Sequence, residues 1–126
     1  MPANVYWLDE PDIMIADYTG DLTREDVEGA MEKCLAALEN TNCSFVVDTT
    51  QVQTLPKDIF RIGPLLSLVN HPQRGWLIFV GQQNVMLKFA VQVIVRHKFR
   101  FMESRDEAVA LLRSMSGGQD GSAETG

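Results

Sequence analysis

The chain of 126 residues contains only two cysteines and two histidines, which limits both its disulfide chemistry and its metal chemistry. A secreted domain held by disulfides usually carries more cysteines, so we predict that Cys34 and Cys43 are reduced, packed thiols. His71 and His97 lie far from both cysteines and from each other along the sequence. The ligand spacing of a structural metal site is therefore missing, and we expect neither a metal nor another cofactor.

The sequence also lacks an apolar stretch of about 20 residues, the length that crosses a bilayer as a helix. Its most apolar segment, residues 85–95, is shorter and is interrupted by Lys88 and Gln92. Residues 1–9 have neither the basic region nor the apolar core of a signal peptide. We therefore predict a cytoplasmic protein that does not insert into membranes.

Basic residues are in the minority, with 11 Lys and Arg against 17 Asp and Glu and a formal net charge of -6. Binding of nucleic acid needs an excess of Lys and Arg on one face, because the phosphates carry the affinity. We therefore expect no nucleic acid partner.

The sequence motifs of common enzyme classes are missing as well. No glycine-rich phosphate loop follows a predicted strand, and there is neither a nucleophile elbow nor an HExxH zinc motif. The carboxylates between residues 17 and 32 fall mainly on the solvent face of a predicted helix. The prediction is a protein without catalytic residues, although a site assembled from distant loops stays open as an alternative.

Short apolar runs and helical periodicity provide the fold prediction. The hydrophobic fraction of 45%, with six Phe and two Trp, is sufficient for a core. The runs at residues 44–48 and 75–81 are nearly continuous, which is typical of strands buried on both faces of a parallel sheet. The predicted strands are residues 5–8, 13–18, 44–48, 75–81 and 98–103.

Helices are predicted between these strands. Thr23 and Asp26 have the spacing of a capping box, and residues 49–56 are predicted as a loop. The predicted helices are residues 23–39, 57–69 and 84–97 and a last one that begins at Ser104 or Asp106. The order β-β-α-β-α-β-α-β-α predicts an α/β domain with a mixed, mostly parallel sheet of about five strands and helices packed on it. We place this single domain at residues 1–115, followed by a disordered tail at residues 116–126 that is rich in glycine.

Three local patterns resemble STAS domains, and more closely the divergent set called SpoIIAA-like proteins. Residues 20–23, Gly-Asp-Leu-Thr, lead into the first helix. Residues 45–52, Phe-Val-Val-Asp-Thr-Thr-Gln-Val, are similar to the family's strand that ends in Asp, a hydroxyl residue and Val. Residues 100–109 resemble the family's last strand and helix. The resemblance covers about residues 5–115 and implies an anti-sigma factor antagonist-like signalling module in bacteria.

The resemblance implies a phosphorylated serine at the start of the second helix, where a free helix N-terminus favours an anion. The matching residues 55–59 contain no serine, threonine or glycine, so the resemblance does not extend to this modification. Asp58 lies at or beside that position, either as a fixed negative charge or as a residue that stabilises the helix start. We predict a partner-binding loop and helix start made of Asp48, Thr49, Thr50, Thr54, Lys57 and Asp58.

The predicted helix over residues 84–97 is apolar on more than one face, whereas a surface helix needs only one apolar stripe. Neighbouring loops could cover the surplus, or it could mediate a homodimer or line an apolar ligand site. The residues that form this second stripe are Leu87, Val91, Ile94 and Val95.

These observations leave three functional hypotheses. The first is a non-catalytic STAS-like regulatory module that binds a protein partner, whose identity the sequence does not give. The second is a SpoIIAA-like carrier of a lipid-like or apolar small ligand. The third is a small enzyme with a site assembled from loops.

Overall fold

The structure is a computed structural model that describes residues 3–54, 61, 63–81, 92, 95 and 98–118. An opening hairpin is followed by alternating helices and strands up to β4, as predicted, and the connection from β4 to β5 lies almost wholly outside the described residues. In chain order the elements are β1 (Ala3–Asp9), β2 (Ile13–Asp21), α1 (Arg24–Leu38), β3 (Ser44–Thr54), α2 (Gly63–Val69), β4 (Leu77–Val80), β5 (Phe99–Met102) and α3 (Arg105–Gly118). No helix in these described ranges is both long and apolar enough to cross a membrane.

The five strands form one sheet in the order β1-β2-β3-β4-β5. β1 and β2 are antiparallel, and every later neighbour is parallel. The predicted fold class, a mixed and mostly parallel sheet of about five strands with packed helices, is confirmed. Because β2, β3, β4 and β5 are mutually parallel, their carboxyl ends share one edge of the sheet.

The two faces of the sheet carry two separate apolar cores, because side chains alternate along each strand. Met14, Ala16 and Tyr18 of β2 face α1 and α2, whereas Ile13 and Ile15 face α3. The larger cluster beneath α1 and α2 is called the major core. The cluster beneath α3 is called the minor core, and its members are Ile13, Ile15, Val46, Ile78, Val80, Ala108 and Leu112.

The first helix follows its sequence signals closely. The Thr23 hydroxyl accepts a hydrogen bond from the Asp26 backbone N–H at 3.1 Å, and the Asp26 carboxylate accepts one from the Thr23 N–H at 3.0 Å. The predicted capping box is therefore confirmed. The apolar stripe is also the predicted one, and its buried members are Val27, Ala30, Met31, Cys34 and Leu38.

Both cysteines are free and buried, as predicted. Cys34 is completely buried between α1 and the sheet, and burial raises the pKa of its thiol to about 12. Burial also raises the pKa of Cys43. A thiol that stays protonated at neutral pH is a poor nucleophile, so both residues contribute packing and not reactivity.

One buried cation ties three elements together. Arg74, only 2% exposed, donates to the backbone carbonyls of Val69 at 2.7 Å, Gly75 at 2.8 Å and Lys98 at 2.9 Å. These carbonyls lie at the end of α2, before β4 and before β5. Burial lowers the pKa of Arg74 to about 10, so the guanidinium keeps its charge at neutral pH and serves as a structural cross-link.

The prediction of a loop at residues 49–56 is wrong for residues 49–54, which continue β3. The end of β2 pairs with them in parallel, with Thr19 opposite Gln51 and Gly20 opposite Val52. The Leu22 N–H also donates to the Thr54 carbonyl at 3.0 Å. The backbone of β2 therefore pairs with one side of this polar segment, which lacks the apolar pattern that identifies a strand from sequence.

Some predicted boundaries fall elsewhere or outside the described residues. α3 extends to Gly118, past residue 116 where we placed the start of the tail. The predicted start of the second helix at Lys57 lies outside the described residues, as does almost all of the predicted helix over residues 84–97. The disordered tail stays a prediction for residues 119–126.

Candidate functional site

The carboxyl ends of parallel strands are where open α/β sheets bind ligands, because loops and helix N-termini meet there. In this protein, Asp17 lies in the middle of β2 and Asp48 in the middle of β3, opposite each other in register, and Asp48 is level with Val80 at the carboxyl end of β4. Both side chains lie on the side of the sheet that carries α3, because they are two residues after Ile15 and Val46 of the minor core. Arg105, the first residue of α3, lies between them.

Arg105 binds three side chains from three different strands. Its Nη2 lies 3.0 Å from Asp17 Oδ2, and its Nε lies 2.9 Å from Asp48 Oδ2. Its Nη1 donates to the Tyr6 hydroxyl at 3.1 Å. The planar guanidinium suits such multiple contacts, since its donors diverge in a fixed fork. The start of α3 is thereby fixed to β1, β2 and β3 together.

The two oxygens of Asp48 have different partners. While Oδ2 accepts from Arg105, Oδ1 accepts from the Thr50 N–H at 2.9 Å and from the Thr50 hydroxyl. The residue is 7% exposed. Burial acts to raise its pKa, but the hydrogen bonds from Thr50 and Arg105 outweigh burial and hold the pKa below its usual range. Asp48 is therefore an ionised acceptor at neutral pH and cannot donate a proton.

The charge of Arg105 is fixed in the same way. Burial acts to lower its pKa, yet the hydrogen bonds to Asp17 and Asp48 outweigh this effect and raise it above its usual value. The group of Tyr6, Asp17, Asp48, Thr49, Thr50 and Arg105 is called the carboxyl-edge site.

The threonines of the predicted partner-binding loop all make hydrogen bonds within the sheet. The Thr49 hydroxyl donates to the Val80 carbonyl at 2.8 Å and joins β3 to β4. The Thr54 hydroxyl donates to Asp21 Oδ1 at 2.9 Å, at the far ends of β3 and β2. Thr50 and Thr54 nevertheless lie on the exposed surface. The structure thus brings Asp48, Thr49 and Thr50 together and places Thr54 further along the same strand.

Of the remaining predicted site residues, the structure describes only Val95. Lys57 and Asp58 lie outside the described residues, so their part in partner binding stays a prediction. Leu87, Val91 and Ile94 also lie outside them. Val95 is 3% exposed and packs in the major core. Self-association or apolar-ligand binding by this stripe stays a prediction.

Sequence reasoning missed Arg105, Asp17 and Tyr6. A basic residue in the first turn of a helix opposes the helix dipole, so Arg105 at that position was a signal for an acidic partner elsewhere. Asp17 gave a similar signal, as a lone carboxylate inside an apolar strand. In the described part of the chain, no group of three or more His, Cys, Asp or Glu side chains could hold a metal ion. The side chains that form the site are an arginine, two carboxylates and hydroxyl groups.

Comparison with solved structures identifies proteins that share this fold. No protein-family model and no curated protein sequence matches this chain. Among solved structures, it is similar to an uncharacterized protein of the DUF3478 family with a SpoIIAA-like fold, from Shewanella loihica PV-4. That match has a TM-score of 0.63 and 20% identity, and it covers 87% of this chain and 91% of that one.

The chain is also similar to the anti-sigma factor antagonist SpoIIAA in its unphosphorylated form. The TM-score is 0.61 at 13% identity, and the match covers 88% of this chain and 97% of SpoIIAA. The SpoIIAA-like fold inferred from the sequence is therefore confirmed.

Proposed function

We propose that this SpoIIAA-like domain is a non-catalytic regulatory module of the cytoplasm that binds a protein partner through the carboxyl-edge site and the adjoining end of β3. The observation that carries the proposal is the network around Arg105. It occupies the edge of the sheet where this class of fold binds ligands, and it joins three strands and a helix through one side chain.

The chemistry of the site supports binding over catalysis. A general acid or base works best with a pKa near the operating pH. The pKa of Asp48 is lowered and the pKa of Arg105 is raised, so both shifts lead away from neutral pH. Both charges are held in a mutual ion pair, which suits a surface that keeps its shape.

The surface next to this network suits a protein partner. The end of β3 exposes uncharged side chains that can both donate and accept hydrogen bonds, namely Thr50, Gln51, Gln53 and Thr54. Such groups on a strand that is paired with β2 bind at a small entropy cost, because the backbone is already ordered.

The proposed module does not depend on phosphorylation at the start of the second helix. The STAS resemblance implies a serine there, and residues 55–59 contain no hydroxyl residue. We propose that binding is regulated in another way, for example by the amount of protein or by a change elsewhere in the fold.

A pull-down with matched charge changes tests the proposal. Thr50→Arg places a long cation on the proposed binding surface, while Ala36→Arg makes the same charge change on the exposed side of α1. We expect wild type and Ala36→Arg to retain one common partner from cells that naturally make the protein, and Thr50→Arg to lose it. Equal recovery by both variants would contradict the proposed surface. Native mass spectrometry that finds a co-purified lipid-like molecule would favour the carrier hypothesis.

A further inference from the structure

Among the described elements, α3 alone covers the minor core, whereas α1 and α2 share the other face. Among the described side chains of α3, only Ala108 and Leu112 are buried, with Val109 and Leu111 partly so. Elements with few buried apolar side chains open locally at a lower free energy than global unfolding. The apolar contacts alone therefore hold α3 only weakly against the sheet.

In the described part of the chain, Arg105 and Arg113 fasten α3 to the sheet through polar contacts. Arg113 pairs with Asp9 through Nε at 2.7 Å and Nη2 at 3.1 Å. Both side chains are more than a third exposed, so this pair adds little to docking. The contacts of Arg105 are more enclosed and reach three strands. The start of α3 thus depends mainly on Arg105.

Asp48 makes hydrogen bonds both to its own strand, at Thr50, and to α3, at Arg105. One of its oxygens orders Thr50 and the other holds Arg105. If α3 leaves the sheet, this buried carboxylate loses its cation and must find other partners or water. The cation holds Oδ2 and Thr50 holds Oδ1, so a turn of the freed carboxylate toward water moves Oδ1 away from Thr50 and changes the surface beside it.

We infer that α3 opens as a separate unit and that Asp48 couples this opening to the order of residues 49–54. A partner that favours one arrangement of residues 49–54 then shifts the docking of α3, and a change at α3 shifts partner binding by the same factor. This regulatory meaning rests on the proposed function, whereas the coupling itself is tested on the isolated domain, so the two can fail separately.

Hydrogen exchange measured by mass spectrometry tests the coupling. In Arg105→Met, we expect exchange to rise about ten-fold in peptides from residues 105–118 and also in those from residues 49–54, as loss of a charged hydrogen bond predicts. Peptides from α1 should be unchanged. Arg113→Met is the matched control, because it removes an ion pair of α3 without touching Asp48. It should leave residues 49–54 as in the wild type.

Thr50→Val tests the coupling from the β3 side. It removes the exposed hydroxyl that donates to Asp48 and leaves every residue of α3 unchanged. We expect it to raise exchange in residues 105–118, although Thr50 does not belong to α3. Exchange in residues 105–118 that stays at the wild-type level in Thr50→Val would overturn the inference. So would an equal rise in α1 and α3 in both variants, because that result means that the domain opens only as a whole.

Discussion

Replacement of Asp48 by Asn should destabilise the domain because no orientation of the amide fits the site. The carboxylate accepts from the Thr50 backbone N–H on one oxygen and from Arg105 Nε on the other, both at 2.9 Å. An amide offers one acceptor and one donor group, so its NH2 must face one of these two donors. We expect the free energy of unfolding to fall by about 2 kcal/mol at pH 7, in line with the loss of a charged hydrogen bond in a buried position. With a urea slope of about 2 kcal/mol/M, the midpoint moves by about 1 M.

The pH dependence of this difference provides a second check. The folded pKa of Asp48 lies below the unfolded value of about 3.9, so its stabilising contribution is complete above the unfolded pKa. It is lost as the pH falls through the folded pKa, because the carboxyl group is then neutral in both states. The gap between wild type and Asp48→Asn should therefore begin to narrow below about pH 4 and close once the pH falls below the folded pKa.

The control is Asp21→Asn, since Asp21 is exposed and its contact with the Thr54 hydroxyl needs only one acceptor. It should change stability by less than about 0.5 kcal/mol. Equal urea midpoints for the two variants at pH 7 would refute the reasoning about Asp48. A gap of unchanged size at pH 3 would refute the assignment of its charge.

Three further predictions concern stability and are checked by urea unfolding followed by circular dichroism. Arg74→Met should lower the free energy of unfolding by about 3 kcal/mol, because three backbone carbonyls lose a charged donor, and a loss below about 1 kcal/mol contradicts this. Gly75→Ala should cost about 2 kcal/mol, since its Cβ would overlap Ser44 Oγ and lie 2.9 Å from the Asn42 carbonyl oxygen; an unchanged midpoint would show that the backbone yields. Tyr18→Phe should be neutral or stabilising, because the buried Tyr18 hydroxyl has no hydrogen-bond partner in the described structure, and a clear destabilisation would reveal one.

The parts of the fold that could be predicted are those with a local signal. The capping box of α1, its apolar stripe and the buried strand at residues 44–48 follow from spacing and composition alone. The continuation of β3 through Thr54 could not be predicted in this way. Its residues are polar, and their place in the sheet depends on the end of β2, about 30 residues earlier.

The candidate site shows the same division. Asp48, Thr49 and Thr50 were predicted as part of a partner-binding loop because residues 45–52 resemble the STAS strand that ends in Asp, a hydroxyl residue and Val. Arg105 comes 57 residues after Asp48 and Tyr6 lies on the opening strand, so only the folded sheet brings them together. The buried Arg74 also lacked a local signal, since its partners are backbone carbonyls that any residue provides.

Site-specific photo-crosslinking in cells that naturally make the protein tests the central claim most directly. A photoreactive amino acid at Gln51, on the exposed end of β3, is compared with the same amino acid at Ala36 on α1. The proposed function predicts a crosslink from Gln51 to one protein partner, which is lost when Thr50→Arg is added, and none from Ala36. Crosslinks of equal strength from both positions, or none from Gln51, would contradict a protein-binding surface at the carboxyl edge of the sheet.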